Sequence, residues 1–287
     1  MSHASVTADA PPSPETPGAA AASPARKARA ARWARGLAGV VIFLVIAEVL
    51  GLTGIIPQSV LPLTSTVLGH AVQLLGSGRF LADLGATVGA WAAGLALTVI
   101  IGVPLGVLLG SLPGVRVATR AVVEFLRPIP SVALILLVSL VLGPGLRMSV
   151  TLIVYGAIWP VLYNTMAGLD DVDPVAKETH RAFGFSRIDT LRMVSLPSAA
   201  PFIATGIRLA SSVAIILDIG AGYITGRING AGLGAFIADY SAGAGNLPVI
   251  LAATVWAGIL GLVLDRAILG AEHRLLRWNH TRLAEIS

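Results

Sequence analysis

The amino-acid sequence predicts an all-α integral membrane protein with six transmembrane helices and both termini on the cytoplasmic side. Three observations carry the prediction: a composition too apolar for water, six apolar stretches of bilayer-spanning length, and an alternation of Lys and Arg between successive connections. Of the 287 residues, 55% are hydrophobic and 12% are charged, with a mean hydropathy of +0.82. A soluble domain carries about 25% charged residues, so lipid is the expected solvent. Cysteine is absent, which removes disulfides, thiolate metal sites and Cys nucleophiles together. The net charge of +5 reads as the positive-inside bias of a membrane protein rather than as a nucleic-acid footprint.

Residues 1–35 are rich in Ala, Pro and Ser, then basic at Arg26, Lys27, Arg29, Arg32 and Arg35. They are expected to form a disordered cytoplasmic tail. A cleaved signal peptide is the competing reading, but the following apolar run is longer than a usual signal core. A helix needs about 20 apolar residues to cross hydrocarbon. The candidates are 36–56, 84–110, 117–143, 148–168, about 199–220 and about 247–269. The third begins as an amphipathic helix at the membrane surface, "ATRAVVEFLRPIP", which Pro128 and Pro130 break before the apolar half. Pro104 and Pro160 are expected to kink their helices. In "GVPLGVLLG", Gly102, Gly106 and Gly110 recur every four residues, the spacing that lets helix backbones approach in lipid.

The connections then set the orientation. The N-terminal tail, 111–120, 169–198 and 271–287 hold most of the basic residues, whereas 57–83, 144–147 and 221–246 hold only Arg79, Arg147 and Arg227. The basic segments are placed inside.

The chemistry that is missing narrows the function. Only Lys27 and Lys177 occur, and neither closes a G-x-x-x-x-G-K-[ST] loop, so ATP hydrolysis by that route is excluded. "GAGLGA" at 230–235 imitates a dinucleotide fingerprint without its strand or its acid. The five histidines are scattered and no H-E-x-x-H or G-x-S-x-G occurs, which argues against a metalloenzyme or an esterase.

One segment is conspicuously polar. In 169–198, Asp170, Asp171, Asp173 and Pro174 make a helix start, and Gly184 a stop. A second short helix is expected from Ser186 as N-cap to just before Pro197. Phe183 and Phe185 flank the turn, and exposed aromatics among charges suit a protein contact as well as a plain shielding loop.

The spacing of residues 178–197 resembles the "EAA" loop of bacterial ABC importer permeases, E-A-A-x3-G-x9-I-x-L-P. Glu178 takes the acidic position, Thr179 and His180 replace the two alanines, Gly184 follows, Val194 stands for Ile, and Leu196–Pro197 closes the pattern. "EFLRPIPSVALILLVSLVLG", "YGAIWPVLYNTMAGLDDVD" and "LLRWN" are similar to the branch importing nitrate, sulfonates and taurine. Over about residues 57–280 the resemblance implies a type I importer permease in the bacterial plasma (inner) membrane; with the spans read above, 36–56 is its first transmembrane helix and 84–270 the permease core. It implies 169–198 as the coupling loop, docked on cytoplasmic ABC ATPase subunits, with Gly184 at the bend and Glu178 in a polar contact. It further implies a second permease subunit, expected as a homodimer, and a periplasmic or lipid-anchored solute-binding protein, with no cofactor and no nucleic acid.

Charges inside spans are expensive and mark interiors. Glu48, Glu124, Arg127, Arg208, Asp218 and Asp265 qualify. Glu124 and Arg127 read as a local structural pair. Asp265 reads as a headgroup contact, and Glu48 and Asp218 as residues near cheap outer ends. Arg208 is the first candidate for meeting an anion in the translocation path, with an interhelical ion pair as its competing role. Asp218 is the second path candidate. The alternative function is an ion-driven secondary transporter, which would favour inverted repeats and buried acids at helix breaks.

Overall fold

A computed structural model of the chain describes residues 22–226, 231–243 and 245–276, and every regular element in them is helical. Two units divide the chain, residues 1–56 and 57–287. In the first, α1 (Ala22–Leu52) begins inside the stretch expected to be a disordered tail. Its opening turns are rich in Ala and Arg, both strong helix formers. Val40, Val41, Ile42 and Phe43 are consecutive and all exposed, so the helix is apolar on every side, as a lipid-facing span is. It ends at Leu52, short of the expected 56, and Gly54 then takes φ +72°.

The second unit is built around three long helices: α3 (Gly78–Ser111), α6 (Leu146–Asp170) and α9 (Leu196–Thr225). Leu95 of α3, Ile153, Ala157 and Val161 of α6, and Ala210, Ala214 and Leu217 of α9 form the central apolar cluster. Small residues make this packing close. A Cβ on Gly94, Gly106 or Gly110 of α3 would lie 2.6–2.8 Å from Ile153, Thr165 or Leu169 of α6, and one on Gly102 would lie 3.1 Å from Val161. The glycine stripe is therefore the α3–α6 seam. Buried hydroxyls close on their own helices: Thr98, Thr165 and Thr225 each donate to the carbonyl four residues back at 2.7–2.8 Å. Both α3 and α6 run through Pro104 and Pro160 without a break.

The third span is broken. An amphipathic α4 (Pro113–Leu126) and α5 (Leu134–Leu142), preceded by a single tight turn at Ser131–Ala133, meet at 63°, and α4 follows α6 from Asp170 to Tyr155 instead of lying at the membrane surface as its pattern predicts. Pro128 and Pro130 cause the break, as the sequence requires. Two short helices went unforeseen. At one end of the bundle α2 (Thr64–Leu74) and α10 (Leu233–Tyr240) pack on α11 (Leu247–Leu275) through Val67, Phe236 and Ala253, with Phe80 of α3 in the same cluster. Trp256 Nε1 donates to the Ala71 carbonyl at 2.9 Å there. Among the described residues five helices are long and apolar enough to span a membrane, and the bent pair, taken as one span, makes six.

The expected stop at Pro197 is corrected. After α7 (Pro174–Ala182) the short α8 (Arg187–Thr190) passes through a wider π turn, Leu191–Ser195, straight into α9. Proline lacks an N–H and crowds the carbonyl four residues back, but it is harmless in a helix's first turn. The π turn places Pro197 there. Residues 277–287, the larger part of the expected C-terminal tail, lie outside the described residues, as do 1–21.

Candidate functional site

The polar segment between α6 and α9 folds as a two-helix elbow. Asp173 caps α7, accepting from the Val175 N–H at 2.8 Å, and Pro174 occupies the first turn. At the far end Gly184 adopts φ +87°. Its N–H donates to the Arg181 carbonyl at 2.9 Å, and the Phe185 N–H to the His180 carbonyl at 3.4 Å. These are the two reversed bonds of a glycine-terminated helix, and they turn the chain back on itself. Ser186 and Asp189 then form a reciprocal capping box that starts α8.

Three contacts hold the elbow. His180 Nδ1 lies 3.1 Å from the hydroxyl of buried Thr190, joining the two arms. The His180 ring stacks on Phe185, centroids 4.0 Å apart. Lys177 Nζ donates to the Leu169 carbonyl at 3.0 Å, a cation on the carbonyl end of α6. Arg116 of α4 grips Asp170 through two hydrogen bonds of 3.2 and 2.8 Å. A cavity of about 520 Å³ opens between the elbow and the end of α3; Lys177, Arg181 and Arg187 line it and no carboxylate does.

The structure brings the sequence-identified loop residues together around this elbow. Glu178 and Thr179 lie on the exposed side of α7, while His180 is half-buried. Val194 and Leu196 are half-buried in the π turn and the start of α9, and Pro197 is exposed. Phe183 at the tip is 78% exposed. Apart from its two chain neighbours, no atom of the described residues lies within 4 Å of a Cβ built on Gly184, so the tip is open to an approaching surface. Thr190 and Lys177 are structural parts of the site that spacing alone did not single out; their roles depend on contacts across the elbow.

The intramembrane charges are rearranged relative to expectation. Arg208 of α9 pairs with Asp265 of α11 at 2.8 and 3.2 Å, so Arg208 is neutralised by an interhelical partner and Asp265 is not simply a headgroup contact. Asp218 is corrected from a cheaply exposed position: it is 6% exposed, beside the hydroxyl-bearing Ser149 and Thr87. Glu124 pairs with Arg120, one turn back, at 2.7 Å, rather than with Arg127. The Arg127 guanidinium lies over the Tyr163 ring instead, 4.6 Å from its centroid. Of the glycine run at 230–235, Gly230 lies outside the described residues, and the Gly232 and Leu233 N–H groups are spent within the fold, donating to Asp83 Oδ1 and Thr87 Oγ1 at 3.0 and 2.9 Å.

With this geometry in hand, comparison with known proteins is direct. Residues 102–276 match the model of the binding-protein-dependent transport system inner membrane component family. The bicarbonate transport system permease protein of Synechocystis sp. is 29% identical over 239 residues, 80% of this chain and 84% of its own. A choline transport system permease protein of Bacillus subtilis is 26% identical over 184 residues, 64% of this chain and 80% of its own. An inward-facing structure of the MetNI methionine ABC transporter shares the fold, with a TM-score of 0.55 at 22% identity over 69% of this chain and 94% of that one. The matched region runs from the α3–α6 glycine seam through the elbow to the end of α11, more than half of the sequence, and the chain belongs to the family of inner-membrane permease components of binding-protein-dependent ABC transporters.

Proposed function

We propose that this permease pairs with a second copy of itself to form the translocation path for a small oxyanion. In this reading residues 177–197 receive mechanical work from a separate cytoplasmic ATPase, and a solute-binding protein delivers cargo on the other side. The observation that supports the coupling role is the elbow itself. It is stiffened by a capping box, a stacked His180–Phe185 pair and the Lys177 bond, yet its tip, Phe183–Gly184, is bare. A rigid element with an exposed aromatic suits docking into a cleft, because little ordering cost is left at contact.

The oxyanion reading, which covers nitrate, sulfonate, taurine and bicarbonate, leans on the match of the bicarbonate permease to 80% of the chain. Calorimetry of the cognate binding protein with each candidate tests it.

The coupling reading is tested by Gly184→Asp. The positive φ strains any L side chain there, and the added carboxylate projects into the open space at the tip. Membrane insertion is expected to stay at wild-type level while co-purification of the cognate ATPase is lost. Recovery of the ATPase at wild-type yield would refute the docking role.

A further inference from the structure

The break between α4 and α5 carries a cation, Arg127, that no carboxylate among the described residues neutralises. Tyr155 Oη of α6 donates to the Leu126 carbonyl at 2.7 Å, and Arg127 lies over Tyr163. The two contacts bracket Trp159, and α6 runs from Leu146 to Asp170, so the break is level with the middle of that span. A charge at that depth is expensive unless it faces protein or a watered path, and helix breaks within spans are where transporters build solute sites.

We propose that Arg127, set against the α6 column of Tyr155, Trp159 and Tyr163, is a contact point for an oxyanion part-way along the translocation path. The proposal rests on the small-oxyanion reading given above and names the residue that serves it. Arg208 is unavailable for this task because Asp265 occupies its guanidinium. The acid nearest Arg127 in sequence, Glu124, is taken by Arg120, and no ion pair joins Arg127 to any acid among the described residues. The side chain is exposed and its planar donors are unspent, which suits two-point bonding to a nitrate, sulfonate or carbonate group. The Tyr163 face holds the cation without quenching its charge. The column also holds a second unused donor: Trp159 Nε1 is buried and has no acceptor among the described residues. Pro128 and Pro130 fix the backbone on the far side of Arg127, so its position is set by the break itself.

The test is uptake of labelled nitrate, bicarbonate and taurine by the complete importer, reconstituted in phosphatidylcholine vesicles with and without phosphatidylglycerol. Wild type, Arg127→Gln and Arg127→Lys are compared after confirming the yield of the assembled complex. Arg127→Gln is expected to assemble normally and to lose about tenfold or more of the uptake of whichever probe the wild type carries, the scale of one charged hydrogen bond, with Arg127→Lys recovering most of it. Uptake by Arg127→Gln equal to wild type removes the site and leaves the oxyanion path standing. Failure of the wild type to carry any of the three anions, with choline carried instead, removes the oxyanion reading and the site with it. Failure of Arg127→Gln to assemble makes the residue structural and overturns the proposal. A loss confined to vesicles containing phosphatidylglycerol makes the partner a lipid headgroup and overturns it too.

Discussion

Asp218 reads in the sequence as a carboxylate near the end of a span, with water in reach. In the fold it is enclosed because its neighbours Ala214, Leu217 and Ala221 carry α9 into the central and adjoining clusters, and position 218 follows them inward. Thr87 and Ser149 stand beside it, and Thr87 accepts from the Leu233 N–H, the start of α10. The carboxylate thus sits beside the hydroxyl that pins a short helix to a long one. Asp218→Asn keeps an acceptor of the same shape, whereas Asp218→Ala leaves two buried hydroxyls without one beside them. The alanine variant is expected to lose about 1–3 kcal/mol of stability and the asparagine variant less than about 1 kcal/mol. Thermal unfolding in detergent measures both, and equal losses would count against its role as an acceptor. None of this was legible in one dimension. A lone Asp in an apolar run says that a partner is needed, but Thr87 and Ser149 are named only once three helices have packed. The elbow is the opposite case. Asp173–Pro174, Gly184 and Ser186 act on their own backbones, so the sequence located its caps and its turn.

Between elements, the glycine stripe of α3 was legible as a close-packing face while its partner was not. The repeat at Gly102, Gly106 and Gly110 extends back to Gly94, and α6 supplies Val161, Thr165, Leu169 and Ile153 opposite them. A paired substitution separates packing from propensity. A Cβ on Gly106 would sit 2.6 Å from the Thr165 Cβ and 3.0 Å from the Leu162 carbonyl oxygen, whereas one on Gly89 of the same helix meets nothing within 4 Å. Gly106→Val is expected to cost about 1–3 kcal/mol through overpacking. Gly89→Ala is expected to be neutral or to stabilise by up to about 1 kcal/mol, since alanine restricts the unfolded chain. A Gly89→Ala loss as large as that of Gly106→Val, in the same melting assay, would show that α3 tolerates no side chain anywhere and that the seam is not special. The same scale explains why Pro197 misled. Read alone, Leu-Pro ends a helix. The π turn at Leu191–Ser195 re-registers the ladder so that proline falls where its missing N–H costs nothing, and α8 continues into α9. Such a re-registration has no one-residue signature.

At the scale of the whole molecule the functional reading depends on which side of the membrane the elbow lies. Hydrocarbon dictates the span lengths, and the Lys and Arg count dictates the side, so orientation is a property that the sequence alone carries. It is also directly measurable here, because the chain has no cysteine to confuse a labelling experiment. Phe183 at the elbow tip, Ser59 before α2 and Gly243 after α10 are all exposed; a cysteine at Gly243 must shift the half-buried Asn246 amide, but none of the three displaces a buried apolar side chain. In right-side-out vesicles a membrane-impermeant maleimide is expected to label Ser59→Cys and Gly243→Cys at once, and Phe183→Cys only after the membrane is opened. Co-assembled ATPase adds a second reading at the same position. If the elbow is the docking element, bound ATPase shields Phe183→Cys in opened vesicles and leaves Ser59→Cys and Gly243→Cys unchanged, because a soluble partner on one face cannot reach the other. Labelling of Phe183→Cys in sealed vesicles would invert the bundle, and no cytoplasmic motor could then work through Gly184.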